Sequence, residues 1–233
     1  MKKTILFAAL ASLGLTGVAR AEGTSREATE ARLRHAGEVL HEVMSAPDKG
    51  IPEEVLLHAK CIAVVPHLVK GGFVFGAEGG RGVATCRTPN GWSAPAFFSI
   101  TGGNWGLQIG VEGIDLVMVF QGDKGMDRLI NSKFEIGGDA SVAAGPVGRH
   151  ASADTDWKMN AEILTYSRAK GIFAGITLNG AAVRRDDDST DAFYGNEVPT
   201  RDLLKGVVPP PPGAHAFLDS IREAKEQAHA AQQ

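Results

Sequence analysis

Four cations stand where a phosphate-bearing ligand would need them. Lys133 and Arg149 bracket residues 134–148, FEIGGDASVAAGPVG, a run rich in glycine and alanine, and Arg168 and Lys170 end the strand-like stretch that follows. Small side chains let a headgroup approach the backbone, and guanidinium and ammonium groups then bind its phosphate oxygens through charge-assisted hydrogen bonds. The pattern points to an anionic lipid headgroup held by Lys133, Arg149, Arg168 and Lys170. The competing reading is ordinary solvated surface charge, which contributes little to binding.

Other chemistries find weaker footing. Ser141 and Ser152 lie near His150 and Asp154, but neither serine sits in the glycine-flanked turn that exposes a nucleophile. His35 and His41 are poorly spaced to share a metal on one helix face. Asp186, Asp187, Asp188 and Asp191 lack the glycine and distal glutamate of a calcium loop, and read as a solvated acidic turn. The glycines at 71–72, 79–82 and 102–103 lack the following Lys-Ser/Thr pair and the strand-to-helix setting of a phosphate loop. They read as bends and close contacts inside a sheet. The sequence therefore predicts a protein that is not an enzyme, with no cofactor and no metal, and leaves a hydrolase as a distant third reading.

Residues 1–21 have the pattern of a cleavable export signal: Lys2 and Lys3, an apolar run over 5–15, and Ala19-Arg20-Ala21 before the cut. The mature chain is expected to start at Glu22 and to be periplasmic or secreted. No cysteine follows the apolar run, so a lipid anchor is not expected. Without Lys2, Lys3 and Arg20, 21 basic residues face 27 acidic ones, a net charge of −6. That balance argues against nucleic acid as a partner, which normally needs a basic face. The two cysteines, Cys61 and Cys86, can pair in an oxidising compartment, with two buried thiols in strands as the alternative.

The elements that must position these residues read as α+β: a single compact domain of bent, glycine-rich antiparallel strands, with N-terminal helices packed on it and a C-terminal helix. Thr24 and Glu27 form a capping box. Leu33, Ala36, Leu40, Val43 and Met44 then share one helical face, and Arg32, Arg34, Glu38 and Glu42 the other. That helix can pack on the sheet or lie on a membrane surface. Pro52 starts a second, short helix. Separate meander strands are expected at 61–65, 73–75 and 83–86, and three more at 97–100, 105–111 and 114–120. Asp123 is expected to cap a helix carrying Met126, Leu129 and Ile130. Strands follow at 161–168 and 172–178, then a short helix over 186–194 ending at Gly195. The resulting division is 22–60 for the N-terminal helices, 61–195 for the β-rich core, 196–212 for an extended proline-containing linker and 213–233 for an amphipathic helix.

SKFEIGGDASVAAGPVGR (132–149) resembles the signature segment of the SYLF, or Ysc84-type actin-binding, domain family. GRGVATCR, GWSAPAFFSITGG and YSRAKGIFAGITLNG resemble further family segments in the expected order. The resemblance covers about 55–194 and suggests a bacterial exported member. It implies binding and no catalysis: eukaryotic relatives bind phosphoinositide-containing membranes, and fungal ones bind actin and its regulators. The expected partners are anionic membrane lipids, with an envelope or host protein as the alternative; actin would be met only in a host.

Overall fold

The computed structural model describes residues 24–46, 50–131, 133–145, 161–169, 172–174, 178 and 180–230; within these the side chains of 72–75, 104–111, 169 and 172–174 are left out of the description. Two long strands dominate it. β1 (Ala59–Thr88) and β3 (Ala96–Gln121) pair antiparallel from Ala59↔Gln121 to Ala84↔Ala96. The separate short strands expected on either side are therefore segments of these two. The glycines expected to separate them are themselves paired, Gly71 with Val111 and Gly102 with Glu78 among them, so they bend the ladder without ending it.

The hairpin folds back on itself. Cys61 and Cys86 are 25 residues apart, a span of about 80 Å in a straight strand. Their Cα atoms are 3.9 Å apart, and a disulfide joins them. Nearby, Arg87 donates to the carbonyls of Ala59 (3.2 Å) and Leu56 (3.1 Å). Close approach of the two halves depends on missing side chains. A Cβ at Gly82 would lie 2.7 Å from the Val64 carbonyl oxygen, and one at Gly80 2.7 Å from Val65 Cγ1. A buried ion pair, Lys70 to Glu78 at 2.9 Å, links residues on either side of the bend.

β2 (Gly91–Trp92) pairs with the end of β1 across a turn at Pro89 and Asn90. The free edge of β3 takes two partners. β6 (Ile163–Ala169) pairs with residues 115–120, and β8 (Ala182–Arg185) with 98–101. β4 (Lys133–Glu135) adds to β8, β7 (Ile172–Ala174) to β6, and β5 (Val142–Ala144) to β6. The β5–β6 pair is parallel, a departure from the all-antiparallel expectation. Its second strand returns after residues 145–162, a connection long enough to reverse direction.

Strand alternation sends successive side chains to two buried faces. Ile62, Val64, Val83, Val117, Val119 and Leu164 face a helical layer of α1 (Arg26–Met44), α2 (Glu53–His58) and α6 (His215–Ala230). Ala63, Val65, Leu116, Met118, Phe120 and Ile163 face the inside of the curl, where α3 (Gly122–Ile130) and α5 (Thr200–Leu204) contribute Leu129, Ile130, Leu203 and Leu204. The expected α1 face is buried through Leu33, Ala36, Leu40 and Val43, with Met44 only partly covered. Gly37 meets α6 closely: a Cβ there would be 3.2 Å from the Ala216 carbonyl oxygen.

Three local expectations shift. Ser25, not Thr24, caps α1 and accepts from the Ala28 amide at 3.1 Å. α3 begins after Gln121, and Asp123 sits in its first turn, paired with Lys60 at 3.2 Å. Residues 196–212 are not wholly extended, because Leu203 and Leu204 have apolar surface to bury and α5 buries it. α4 (Asp187–Tyr194) does end at Gly195, whose φ of 78° suits a glycine.

Tyr166 is buried and Tyr194 half-buried. Tyr166 hydroxyl has no hydrogen-bond partner among the described residues, whereas Tyr194 donates to the Pro95 carbonyl at 2.6 Å. Burial pushes both phenols above their ordinary value. The unfolded chain then releases these protons near pH 10 while the folded chain keeps them, so the stabilisation is complete below pH 10 and lost above it. The unfolding free energy from urea titration is expected to hold to about pH 10, then fall by as much as about 2.7 kcal/mol per pH unit for the two phenols together. Tyr166→Phe should halve the slope without destabilising at neutral pH, since it removes an unpaired hydroxyl. Separately, Cys61→Ala/Cys86→Ala should cost about 3 kcal/mol, measured against the oxidised parent, in which alkylation after unfolding should find no free thiol.

Candidate functional site

The polar face of α1, exposed along most of its length, overlooks the folded hairpin. Arg32, Arg34, His35, Glu38 and Glu42 line one wall of an open cleft of about 1020 Å³, with Ala28, Ala31 and Val39 between them. This spacing of three, four and seven residues is that of one helical stripe. The opposite wall is the folded hairpin, at Pro66, His67 and Val69 on one half of β1 and Gly79, Gly80 and Arg81 on the other, with Asp115 and Arg168 also lining it.

Charged clusters brace this cleft at two places. In the first, Asp186 caps α4, accepting from the Ser189 amide at 3.1 Å and the Ser189 hydroxyl at 2.7 Å. Arg32 reaches the same carboxylate at 3.4 Å and Arg81 at 3.7 Å, while the Arg32 guanidinium stands 5.6 Å from the Phe97 ring centroid. The expected solvated acidic turn is thus corrected at Asp186: its carboxylate is buried because it joins α1, β1 and α4. In the second, Asp115 accepts from the His67 amide at 3.1 Å and pairs with Arg168 at 2.9 Å, and Glu42 pairs with the same guanidinium. His67 sits at the irregularity between Val65 and Leu68 with φ of 60°, a left-handed conformation uncommon outside glycine. Partial desolvation works against the Arg168 charge, but Asp115 and Glu42 outweigh it and raise the guanidinium above its ordinary value.

The four cations expected to hold a headgroup are placed unevenly. Arg168 lies in the cleft with its charge already matched by two carboxylates. Lys133 lies on β4, exposed and directly opposite Arg184 of β8. Arg149 and Lys170 lie outside the described residues, as do His150, Ser152 and Asp154. Ser141 accepts from the Glu162 amide at 2.9 Å, a structural contact. Sequence reasoning missed Arg184, whose partnership with Lys133 depends on strand register. It also missed Arg81 and His67, which reach the cleft only because the hairpin folds back. Among the described residues no group of three His, Cys, Asp or Glu side chains is placed to hold a metal, and no helix is long and apolar enough to cross a membrane.

A family model described as Ysc84, a Las17-binding protein actin regulator, matches residues 101–224. The chain belongs to this Ysc84 (SYLF) family. It is similar to SH3 domain-containing YSC84-like protein 1 of Homo sapiens, at 34% identity over 78% of this chain and 54% of the relative. It is also similar to Protein YSC84 of Saccharomyces cerevisiae, at 33% identity over 73% of this chain and 37% of the relative. The chain thus spans about half the length of its vertebrate relatives and less of the yeast ones.

Asp115 supplies the acceptor for a strained turn and the counter-charge for Arg168, so its loss should be felt in stability. Asp115→Ala is expected to lower unfolding free energy by about 2 kcal/mol, read as a reduced urea midpoint at unchanged slope. Asp115→Asn, which keeps an acceptor for the His67 amide, should lose less.

Proposed function

We propose that the chain is a non-catalytic module that binds anionic phospholipid at a membrane surface, exported from the cytoplasm by the leader at 1–21. The observation that supports this reading best is the cross-strand pair of Lys133 and Arg184. Directly opposed residues of an antiparallel ladder project from the same face, and like charges there destabilise the sheet. Both are exposed, with Glu135 two residues along the same strand face. A phosphate between the two cations would turn repulsion into two charge-assisted hydrogen bonds. Arg149 and Lys170 remain proposed members of the same site, and Arg168 is better read as the structural brace of the cleft.

A second reading has its own support. The family model is described by a protein partner, and LAS seventeen-binding protein 3 of yeast is 33% identical over 71% of this chain. On that reading the module is an envelope scaffold that contacts another protein, without lipid specificity.

Vesicle co-sedimentation separates the two. The mature chain should bind vesicles containing phosphatidylglycerol and not neutral phosphatidylcholine ones, and binding should weaken as salt is raised. Lys133→Ala/Arg184→Ala should lower binding about tenfold, with an unchanged or slightly higher melting temperature because like charges have been separated. Equal binding to neutral vesicles, or equal binding by the double variant, would leave the scaffold reading in place.

A further inference from the structure

The cleft under α1 is polarised along its length. Arg32, Arg34 and His35 lie toward the helix N-terminus and Arg81 pairs with the same carboxylate as Arg32, while Glu38 and Glu42 lie toward the C-terminus, where Asp115 and Arg168 meet Glu42. Glu27 is the exception, in the first turn. The helix macrodipole has the same sense, positive at its start and negative at its end. A simple anion would meet the carboxylates and a simple cation the guanidinium groups. A ligand with both charges, separated along its length, meets neither penalty.

We propose that this cleft is a second site, distinct from Lys133 and Arg184, and that it takes the headgroup of an aminophospholipid, phosphate toward Arg34 and Arg81 and primary ammonium toward Glu38. The inference rests on the membrane-surface reading for its choice of ligand. Its geometry is independent of that reading. From Arg34 to Glu38 is one helical turn, about 6 Å of rise, within reach of a phosphate and an ammonium joined by a two-carbon spacer. The existing ion pairs leave room for this ligand. Arg81 touches Asp186 only at 3.7 Å and is about half exposed, so its guanidinium can serve an incoming phosphate without unfolding the brace. Glu38 is exposed on the same wall. Ala31, Val39, Pro66 and Val69 supply the apolar surface against which the glycerol end and the first acyl methylenes would rest, and Val69 is 40% exposed.

The test compares lipids of equal charge. Vesicles of phosphatidylcholine doped with equal amounts of phosphatidylserine or phosphatidylglycerol present the same net charge, but only the former carry a primary ammonium group, with a carboxylate beside it. The chain should bind the serine lipid about fivefold better, in line with one exposed ion pair. Glu38→Gln should bring that ratio to about one at an unchanged melting temperature. Lys133→Ala/Arg184→Ala should weaken binding to both vesicles and leave the ratio standing, so failure of the general membrane reading is told apart from failure of this one. Soluble glycerophosphoethanolamine, titrated calorimetrically, should bind the parent chain and bind Glu38→Gln more weakly, and glycerol phosphate should not distinguish them. A ratio of one in the parent, or a ratio that survives Glu38→Gln, overturns the proposal; no heat with the soluble headgroup does so too and leaves the groove to a charged peptide.

Discussion

The fold depends on one close approach, the contact of the β1 strand with itself. A two-stranded ribbon of this length is marginal alone, because each of its faces lacks a cover. Folding it back places residues 61–68 against 80–86, and the ribbon then supplies its own second layer. Gly80 and Gly82 make the contact possible by having no Cβ, and the Cys61–Cys86 bond closes the two ends. Conformational entropy is the main cost of such a closure, and a covalent link reduces it by restricting the unfolded chain. Everything outside the ribbon then has a surface to pack on: helices α1, α2 and α6 against one face, and α3 and α5 inside the curl.

The same fold-back creates the cleft. Residues 66–69 and 79–81 lie far apart along β1, yet line one wall beneath α1. Two charge clusters hold the helix over that wall: Arg32 and Arg81 on Asp186, and Glu42 with Asp115 on Arg168. Each is partly buried, where breaking a pair by removing one partner costs more than making it gained. These residues set the relative position of helix and sheet. Apart from Arg81, which is half exposed and only loosely paired with Asp186, they are consequently poor candidates for ligand binding, since an incoming phosphate would have to compete with carboxylates already in contact.

Much of the architecture was legible in the sequence, and the losses have physical causes. The α1 core face followed from spacing, as did the amphipathic C-terminal helix, which as α6 buries Phe217, Leu218, Ile221, Ala224 and Ala228, because helical periodicity is a local property. The two long strands were read as six short ones. A glycine in an extended run signals a turn or a bend equally well, and only the partner strand decides which. Asp186 reads as solvated because three consecutive aspartates usually are, yet two arginines distant in sequence, Arg32 and Arg81, meet its carboxylate. The candidate site was legible in its residue types and illegible in its grouping. Arg168 carried the right charge for a phosphate, and nothing near it in sequence announced that Asp115 and Glu42 would take that charge.

His67 shows how closely these constraints are coupled. Its left-handed φ is the irregularity that lets β1 change register between Val65 and Leu68, and its ring lies over Gly113, where a Cβ would come within 2.4 Å of Cε1. Strain of this kind costs on the order of 1–3 kcal/mol and persists only where surrounding contacts over-determine it. Here the compensating contact is the Asp115 carboxylate, which accepts from the His67 amide with one oxygen and from Arg168 with the other. One carboxylate thus ties a strained turn of β1 to β6, and through Arg168 to α1. A side chain placed to bind a mobile partner could not also serve as this fixed junction, which is why the ligand-facing charges must be sought among residues whose partners are loose, as at Arg81, or like-charged, as at Lys133 and Arg184.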